Sequence, residues 1–379
     1  MKILHISTFL QGGAGKVVVD LAKDSINRGH KVSIACTENP VVNYSNYPGH
    51  VLELKRMRIP LFFINSTFSR DLSRNLHACR ELSKNGSLEG VDLIHSHASI
   101  PSLVSLFAKS NGNTRIPVVQ TMHGWGIYKN EKQEKQDISI LNLVDHVVTI
   151  SESSRDLLVS KGFKKSNLSV IYNGIETTRT PQSVVKDKDL CQLKQFKKEG
   201  YKIVGVVGTV DERKNQKILI EAVRFLPPAI KARFFIIGEG KAIHGLKSIC
   251  KNYGLSEKIF FTNYKKNGMD FIKSFDCLLS CSISEGGPPL CLMEAFAERI
   301  PVIASSTAEH KEAVFNFENG FIFKSQDAED LANVLQLVLD KEDLSALVDQ
   351  AYQHYLEYYT FNNTAAAYRK LYRKTLQKL

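Results

Sequence analysis

Two glutamates, Glu285 and Glu294, bracket a turn of Gly286, Gly287, Pro288 and Pro289 in this 379-residue chain. Carboxylates repel phosphates, so beside an anion site they are suited to accepting hydrogen bonds from the hydroxyls of a sugar or ribose. The turn leads directly into a helical pattern, Leu290 to Glu298. The free N–H groups and partial positive charge of a helix start suit an anion such as a phosphate. A sugar phosphate or nucleotide satisfies both requirements. Histidines form a second group: His95-Ser96-His97 follows an apolar run from Val91, and His123 follows Val118 to Met122 ahead of Gly124-Trp125-Gly126. Histidines at the carboxyl ends of parallel strands face the crevice where such sheets bind ligands. His95 and His97 can equally serve as strand caps, and His123, before a glycine-flanked tryptophan, is the stronger site residue. No further ligands lie nearby at zinc spacing, so no metal is expected.

The elements that must position these residues are short β-rich runs alternating with helical patterns. Lys2 to Thr8, Lys31 to Cys36, Asp92 to His95, Pro117 to Thr121, His146 to Ile150 and Leu168 to Ile171 form a first series. Lys202 to Val207, Phe234 to Ile237, Ile259 to Thr262, Cys277 to Cys281, Val302 to Ala304 and Phe321 to Phe323 form a second. This order predicts an α/β protein with two Rossmann-like, doubly wound parallel sheets. The expected boundaries are 1–175 for the first domain, 176–200 for a polar linker, 201–355 for the second domain, and 356–379 for a helix returning to the first. Asp187-Lys188-Asp189, in a charge run, reads as solvated linker. Gly12 to Gly15, between the first strand and a helix from Lys16 to Ala22, reads as a turn that lets backbone approach a phosphate. Neither a dinucleotide fingerprint nor a P-loop is present.

Composition sets the outer limits. A 43% hydrophobic content is that of a globular protein, and no apolar run reaches the ~20 residues of a membrane span. The amino terminus enters a strand with no secretory pattern. The seven cysteines are scattered and lack paired spacing; they read as small apolar side chains of a cytoplasmic protein. Of the net charge of +11, most lies in residues 1–175, with 21 Lys+Arg against 14 Asp+Glu. Lys55, Arg56 and Arg58 abut Ile59 to Ile64, and Arg70 and Arg74 follow on a predicted helix. Basic residues beside exposed aromatics suit an anionic membrane surface, here the inner face of the membrane; the alternative is a solvated basic helix over a buried Phe62-Phe63 pair. A nucleic-acid partner is not expected, because only this stretch interleaves basic and aromatic residues and no binding module is present.

Several segments in combination resemble the retaining glycosyltransferases of family 4, across nearly the whole chain. These are Gly12-Gly-Ala-Gly-Lys16, Thr121-Met-His-Gly124, Ile171-Tyr-Asn-Gly-Ile175, Gly208-Thr-Val-Asp-Glu-Arg-Lys214, Gly238-Glu-Gly240 and Ser284-Glu285 through Glu294-Ala295. The resemblance implies the GT-B fold, with two domains facing a central cleft, and a nucleoside-diphosphate sugar donor used without metal or cofactor. It implies Lys214 as the neutraliser of the diphosphate, Glu294 as the ribose ligand, and Glu285 beside the donor sugar. His123 would contact the sugar, Gly13 would approach the phosphate, and the N–H groups of Leu290 and Cys291 would hold sugar and phosphate. The sequence departs from the family where Thr209 stands in place of an arginine, whose charge Arg213 supplies from nearby. It departs again in carrying one extra residue between the two glutamates. The implied acceptor is a saccharide or a lipid-linked saccharide, as in cell-surface polysaccharide or glycolipid synthesis. A nucleotide-sugar epimerase on the same architecture is the competing enzyme class.

Overall fold

The computed structural model describes the chain except residues 9, 38–46, 65–69, 112–115, 127–128, 177–186, 267 and 379. The chain divides into two compact units, Met1–Asn173 with Asn362–Leu379, and Gly174–Phe361.

The first unit holds strands β1 Lys2–Ser7, β2 Lys31–Cys36, β3 Leu61–Phe63, β4 Leu93–His97, β5 Val118–Met122, β6 His146–Thr149 and β7 Leu168–Val170. They form one parallel sheet in the order β3-β2-β1-β4-β5-β6-β7. Helices cover both faces of such a sheet, which is why its strands are near-continuous buried runs. Ile3, Leu4 and Ile6 of β1 are fully buried, each contributing roughly 1.5–3 kcal/mol of hydrophobic stabilisation. The chain leaves β1 for β2 on one side and later returns to β4 on the other, so the strand order reverses between β1 and β4. This reversal is where an open parallel sheet leaves a crevice beyond its carboxyl ends. The helix Phe361–Leu376 lies over the same sheet, with Tyr368 and Tyr372 buried against it.

Two local expectations differ from the structure. Strand β3 lies within Ile59 to Ile64, and Phe62 and Phe63 are half-buried edge-strand residues packed on the core, so of the two readings of this stretch the structure favours the covered Phe62-Phe63 pair over an exposed aromatic patch. The glycine stretch is not a turn ahead of a helix, because the helix Gly12–Asn27 begins at its first glycine. Gly15 packs where a Cβ would meet the carbonyl carbon of Leu10 at 2.3 Å, so no larger residue fits there.

The second unit holds β8 Lys202–Val207, β9 Ala232–Ile237, β10 Ile259–Thr262, β11 Cys277–Ser280, β12 Val302–Ser305 and β13 Phe321–Phe323. Its sheet is also parallel, in the order β10-β9-β8-β11-β12-β13, and the strand order reverses between β8 and β11. The loops after β8 and β9 pack backbone to backbone: a Cβ on Gly238 would fall 1.8 Å from the carbonyl oxygen of Gly208, and Gly238 has φ +144°. Of the expected linker, residues 177–186 lie outside the described residues. The remainder is mostly the helix Lys188–Lys198, capped by the Asp187 side chain.

Candidate functional site

The loop leaving β8 carries Arg213 and Lys214 to the strand-order reversal of the second unit. It is pinned at several points. Val210 N–H donates to the Glu239 carbonyl at 2.8 Å. Gln216 Nε2 donates to the Thr209 carbonyl at 2.8 Å, and Lys214 N–H donates to Asp211 Oδ1 at 2.8 Å. Arg213 Nη1 then reaches Glu285 Oε2 at 2.6 Å and the Ser284 carbonyl at 3.0 Å. Lys214 Nζ donates to Glu285 Oε1, which also accepts from Ser282 Oγ at 2.6 Å. Glu285 is thus the shared counterion of two cations, with a side chain only 9% exposed.

Burial pushes the Glu285 pKa up, but Lys214, Arg213 and the hydrogen bonds from Lys214 and Ser282 outweigh it and hold the pKa at about 2. The carboxylate stays ionised across the physiological range, so it has no proton to give and little tendency to take one. The helix Leu290–Ala297 follows Pro289, whose extended backbone forms its N-cap without a side-chain hydrogen bond. Leu290 and Cys291 therefore occupy a first turn whose N–H groups point at the end of the helix. Glu294, half-buried, stands one turn further on. Burial drives the Cys281 and Cys291 thiols up to about 12, so they remain neutral. Beneath this layer, the buried His310 bonds Ser280 Oγ and Ser305 Oγ, both at 2.9 Å, and ties the ends of β11 and β12 together.

The first unit carries a different assembly at its own reversal. His123, half-buried at the end of β5, places Nε2 3.0 Å from His97 Nδ1, and His97 Nε2 lies 3.0 Å from His5 Nδ1. The rings stack at 5.3 Å centroid spacing in both steps. His95, with its ring centroid 4.1 Å from that of His97, is not hydrogen-bonded into this line but bonds Thr121 Oγ1 at 2.8 Å and the Tyr372 hydroxyl at 2.7 Å, while Thr121 also bonds the Tyr368 hydroxyl at 2.8 Å. Burial lowers the pKa of His5 and His123 to about 4 and those of His95 and His97 well below the usual range. All four rings are neutral at pH 7. His5 is a fourth imidazole that sequence spacing concealed, and ligand nitrogens of His5, His95 and His97 lie within 4.8 Å of one another. Both nitrogens of His95 and of His97 are already engaged in hydrogen bonds, so this arrangement fits a hydrogen-bonded network better than a metal cage. Gly13 is exposed in the first turn of the helix Gly12–Asn27.

Lys214, Arg213 and Glu285 are thus in direct contact, and Leu290, Cys291 and Glu294 share the helix that follows. Thr209 contributes its carbonyl to loop structure, and His123 and Gly13 belong to the first unit. Sequence reasoning did not find His5, Ser282 or His310. The signal for His5 and His310 would have been a polar ring inside a buried run or at its margin.

Known proteins match both halves of the chain. The family model for glycosyltransferase family 4 matches residues 11–179, and that for glycosyl transferases group 1 matches residues 188–354. The chain belongs to this family of glycosyltransferases. N-acetyl-alpha-D-glucosaminyl L-malate synthase of Bacillus anthracis is 22% identical, over 97% of this chain and 95% of its own. UDP-Gal:alpha-D-GlcNAc-diphosphoundecaprenol alpha-1,3-galactosyltransferase of Escherichia coli is 20% identical, over 92% and 90%. The solved structure of Anabaena Alr3699/HepE in complex with UDP-glucose superposes with a TM-score of 0.81 at 18% identity, covering 100% of both chains. This likeness shows the GT-B fold.

Two expectations about charges are corrected in this glycosyltransferase. Arg70 is not a free basic residue, since its Nη2 bonds the buried Asp137 at 2.8 Å, beside Lys129 at 2.6 Å. Asp187 and Asp189 are not solvated, because Lys265 Nζ bridges them at 2.8 and 2.6 Å. Lys55, Arg56, Arg58 and Arg74 are exposed. No helix among the described residues is long and apolar enough to cross a membrane.

Proposed function

We propose that this glycosyltransferase moves a sugar, with retention of anomeric configuration and without a metal ion, from a nucleoside-diphosphate sugar to a saccharide or lipid-linked acceptor. The observation that carries this reading is the pair Arg213 and Lys214, converging on one carboxylate at the β8–β11 reversal beside an uncapped helix start. A departing nucleoside diphosphate accumulates negative charge. Two fixed cations and a helix amino terminus stabilise that charge by several kcal/mol, with no reorganisation at the moment of reaction. Here Lys214 and Arg213 neutralise the diphosphate, and the N–H groups of Leu290 and Cys291 hold phosphate and sugar. Glu294 accepts from ribose hydroxyls, Thr209 lines the loop, Gly13 approaches the phosphate, and His123 hydrogen-bonds the transferred sugar.

Glu285, held ionised by its two cations, positions Lys214 and Arg213 and does not serve as acid or base. The acceptor's proton then passes to the departing diphosphate on the face from which it leaves, the route consistent with retention. A carboxylate with a pKa near 2 also argues against the epimerase reading, which needs an acid and base pair. The Anabaena complex and the Escherichia coli relative support a uridine-diphosphate sugar as donor, and the name of the Escherichia coli relative supports a diphosphate-linked lipid saccharide as acceptor. The exposed Lys55, Arg56, Arg58 and Arg74 suit an anionic membrane surface at which such an acceptor resides.

A thermal-shift panel of nucleoside diphosphates and their sugars, followed by NMR of the anomeric product, tests the reading. A uridine diphosphate sugar should raise the melting temperature in the wild type and not in Lys214→Ala. Absence of any shift, or a shift that survives the substitution, overturns it; an inverted product overturns retention alone.

A further inference from the structure

His5, His97 and His123 lie in one line, and the two nitrogens at its ends, His5 Nε2 and His123 Nδ1, have no hydrogen-bond partner while being shielded from solvent. Each neutral imidazole has one N–H and one lone pair. The two nitrogen-to-nitrogen contacts therefore work only if all three protons point the same way along the line. Either every ring carries its proton on Nδ1 or every ring carries it on Nε2. In the first arrangement His5 donates to His97, His97 donates to His123, and the unpaired N–H is His123 Nδ1–H. In the second the direction is reversed and an N–H is left on His5 Nε2, inside the sheet.

A buried N–H without an acceptor is the rarer and costlier orphan. When a ligand oxygen reaches His123 Nδ1, that end gains a partner and only the Nδ1–H arrangement leaves no N–H unpaired. We propose that His5 and His97 are positioning residues that lock His123 as a neutral Nδ1–H donor toward an oxygen of the bound sugar. This rests on the placement of His123 at the transferred sugar. With its proton on Nδ1 and its Nε2 lone pair taken by His97, His123 has no site left at which to accept a further proton. The line therefore orients one hydrogen bond and stores no proton from the acceptor.

The test uses the full chain with nitrogen-15-labelled histidine. Long-range proton–nitrogen correlation spectra at neutral pH report which nitrogen of each ring is protonated, and single His→Gln variants assign the signals. The expected result is Nδ1–H on His5, His97 and His123 with the donor bound; Nε2–H or an imidazolium on any of the three overturns the proposal. In His97→Gln, His123 should revert toward Nε2–H, and kcat should fall about tenfold, the worth of one good hydrogen bond. His97→Asn, whose amide reaches the position of Nδ1, should restore most of the rate, and an equal loss in both variants counts against positioning. If a variant does not fold, the wild-type spectra decide. If the three signals are as expected but His123→Ala transfers sugar at the wild-type rate, the placement of His123 at the sugar fails while the aligned tautomers stand.

Discussion

The two units place polar residues at the same point of the same architecture and fill it with opposite chemistry. At the β1–β4 reversal four histidines and two tyrosines form a buried network with no net charge. At the β8–β11 reversal two cations share one carboxylate. The end of a parallel sheet is thus a mount and does not dictate what is mounted. Neutral rings hold a direction and shed charge through burial, whereas Arg213, Lys214 and Glu285 hold charge ready for an anion. If this contrast is correct, substitutions in the charged group cost binding and rate, and those in the neutral group cost orientation.

The largest expected effect is that of Lys214→Ala, which removes a cation from the leaving group. Transfer, measured as kcat/KM, should fall by about 10²–10³-fold, against a loss near tenfold for His123→Ala. Equal losses would erase the distinction.

The acid limits of stability separate the two regions next. Glu285 has its pKa depressed from 4.5 to about 2, so the unfolded chain binds the extra proton first. Its stabilisation is complete above about 4.5 and is lost as pH falls toward 2, worth about 3 kcal/mol. His5 falls from 6.5 to about 4 and is likewise less protonated when folded. Its share is complete above 6.5 and is lost as pH falls toward 4. Calorimetry across pH should show that Glu285→Gln changes stability only in the lower window and that His5→Phe reduces the upper one, which it shares with His123 and the other buried histidines. Gly238→Ala should cost about 2 kcal/mol, because its Cβ cannot coexist with the Gly208 carbonyl. It should also weaken diphosphate binding by shifting the loop that carries Lys214, as isothermal titration would show.

The fold was largely legible because hydrophobic runs and their order are local properties. Lys31–Cys36, Lys202–Val207, Ile259–Thr262 and Phe321–Phe323 coincide with their apolar runs. Strand β3 was not legible, since three residues behind Pro60 are too few to show a period. The site was legible as a set of residues and not as a set of contacts. Glu285 meets its cations across 71 and 72 positions, and His5 meets His97 across 92. No local spacing encodes such pairs. Lys265 appeared in no motif at all, yet it bridges Asp187 and Asp189, because the charge run hid a helix cap.

The smallest effect sharpens the comparison from the neutral side. Tyr372 donates to or accepts from His95 Nδ1 at 2.7 Å, and both residues are buried. Tyr372→Phe keeps the ring packing and removes one neutral hydrogen bond, which should cost about 1 kcal/mol in chemical denaturation. His95 stands beside the His5–His97–His123 line and not in it, so transfer should stay within about twofold of wild type. A much larger loss of activity with the fold intact would mean that His95 and its tyrosines also steer His123. The neutral network would then act as a whole, as the charged one does.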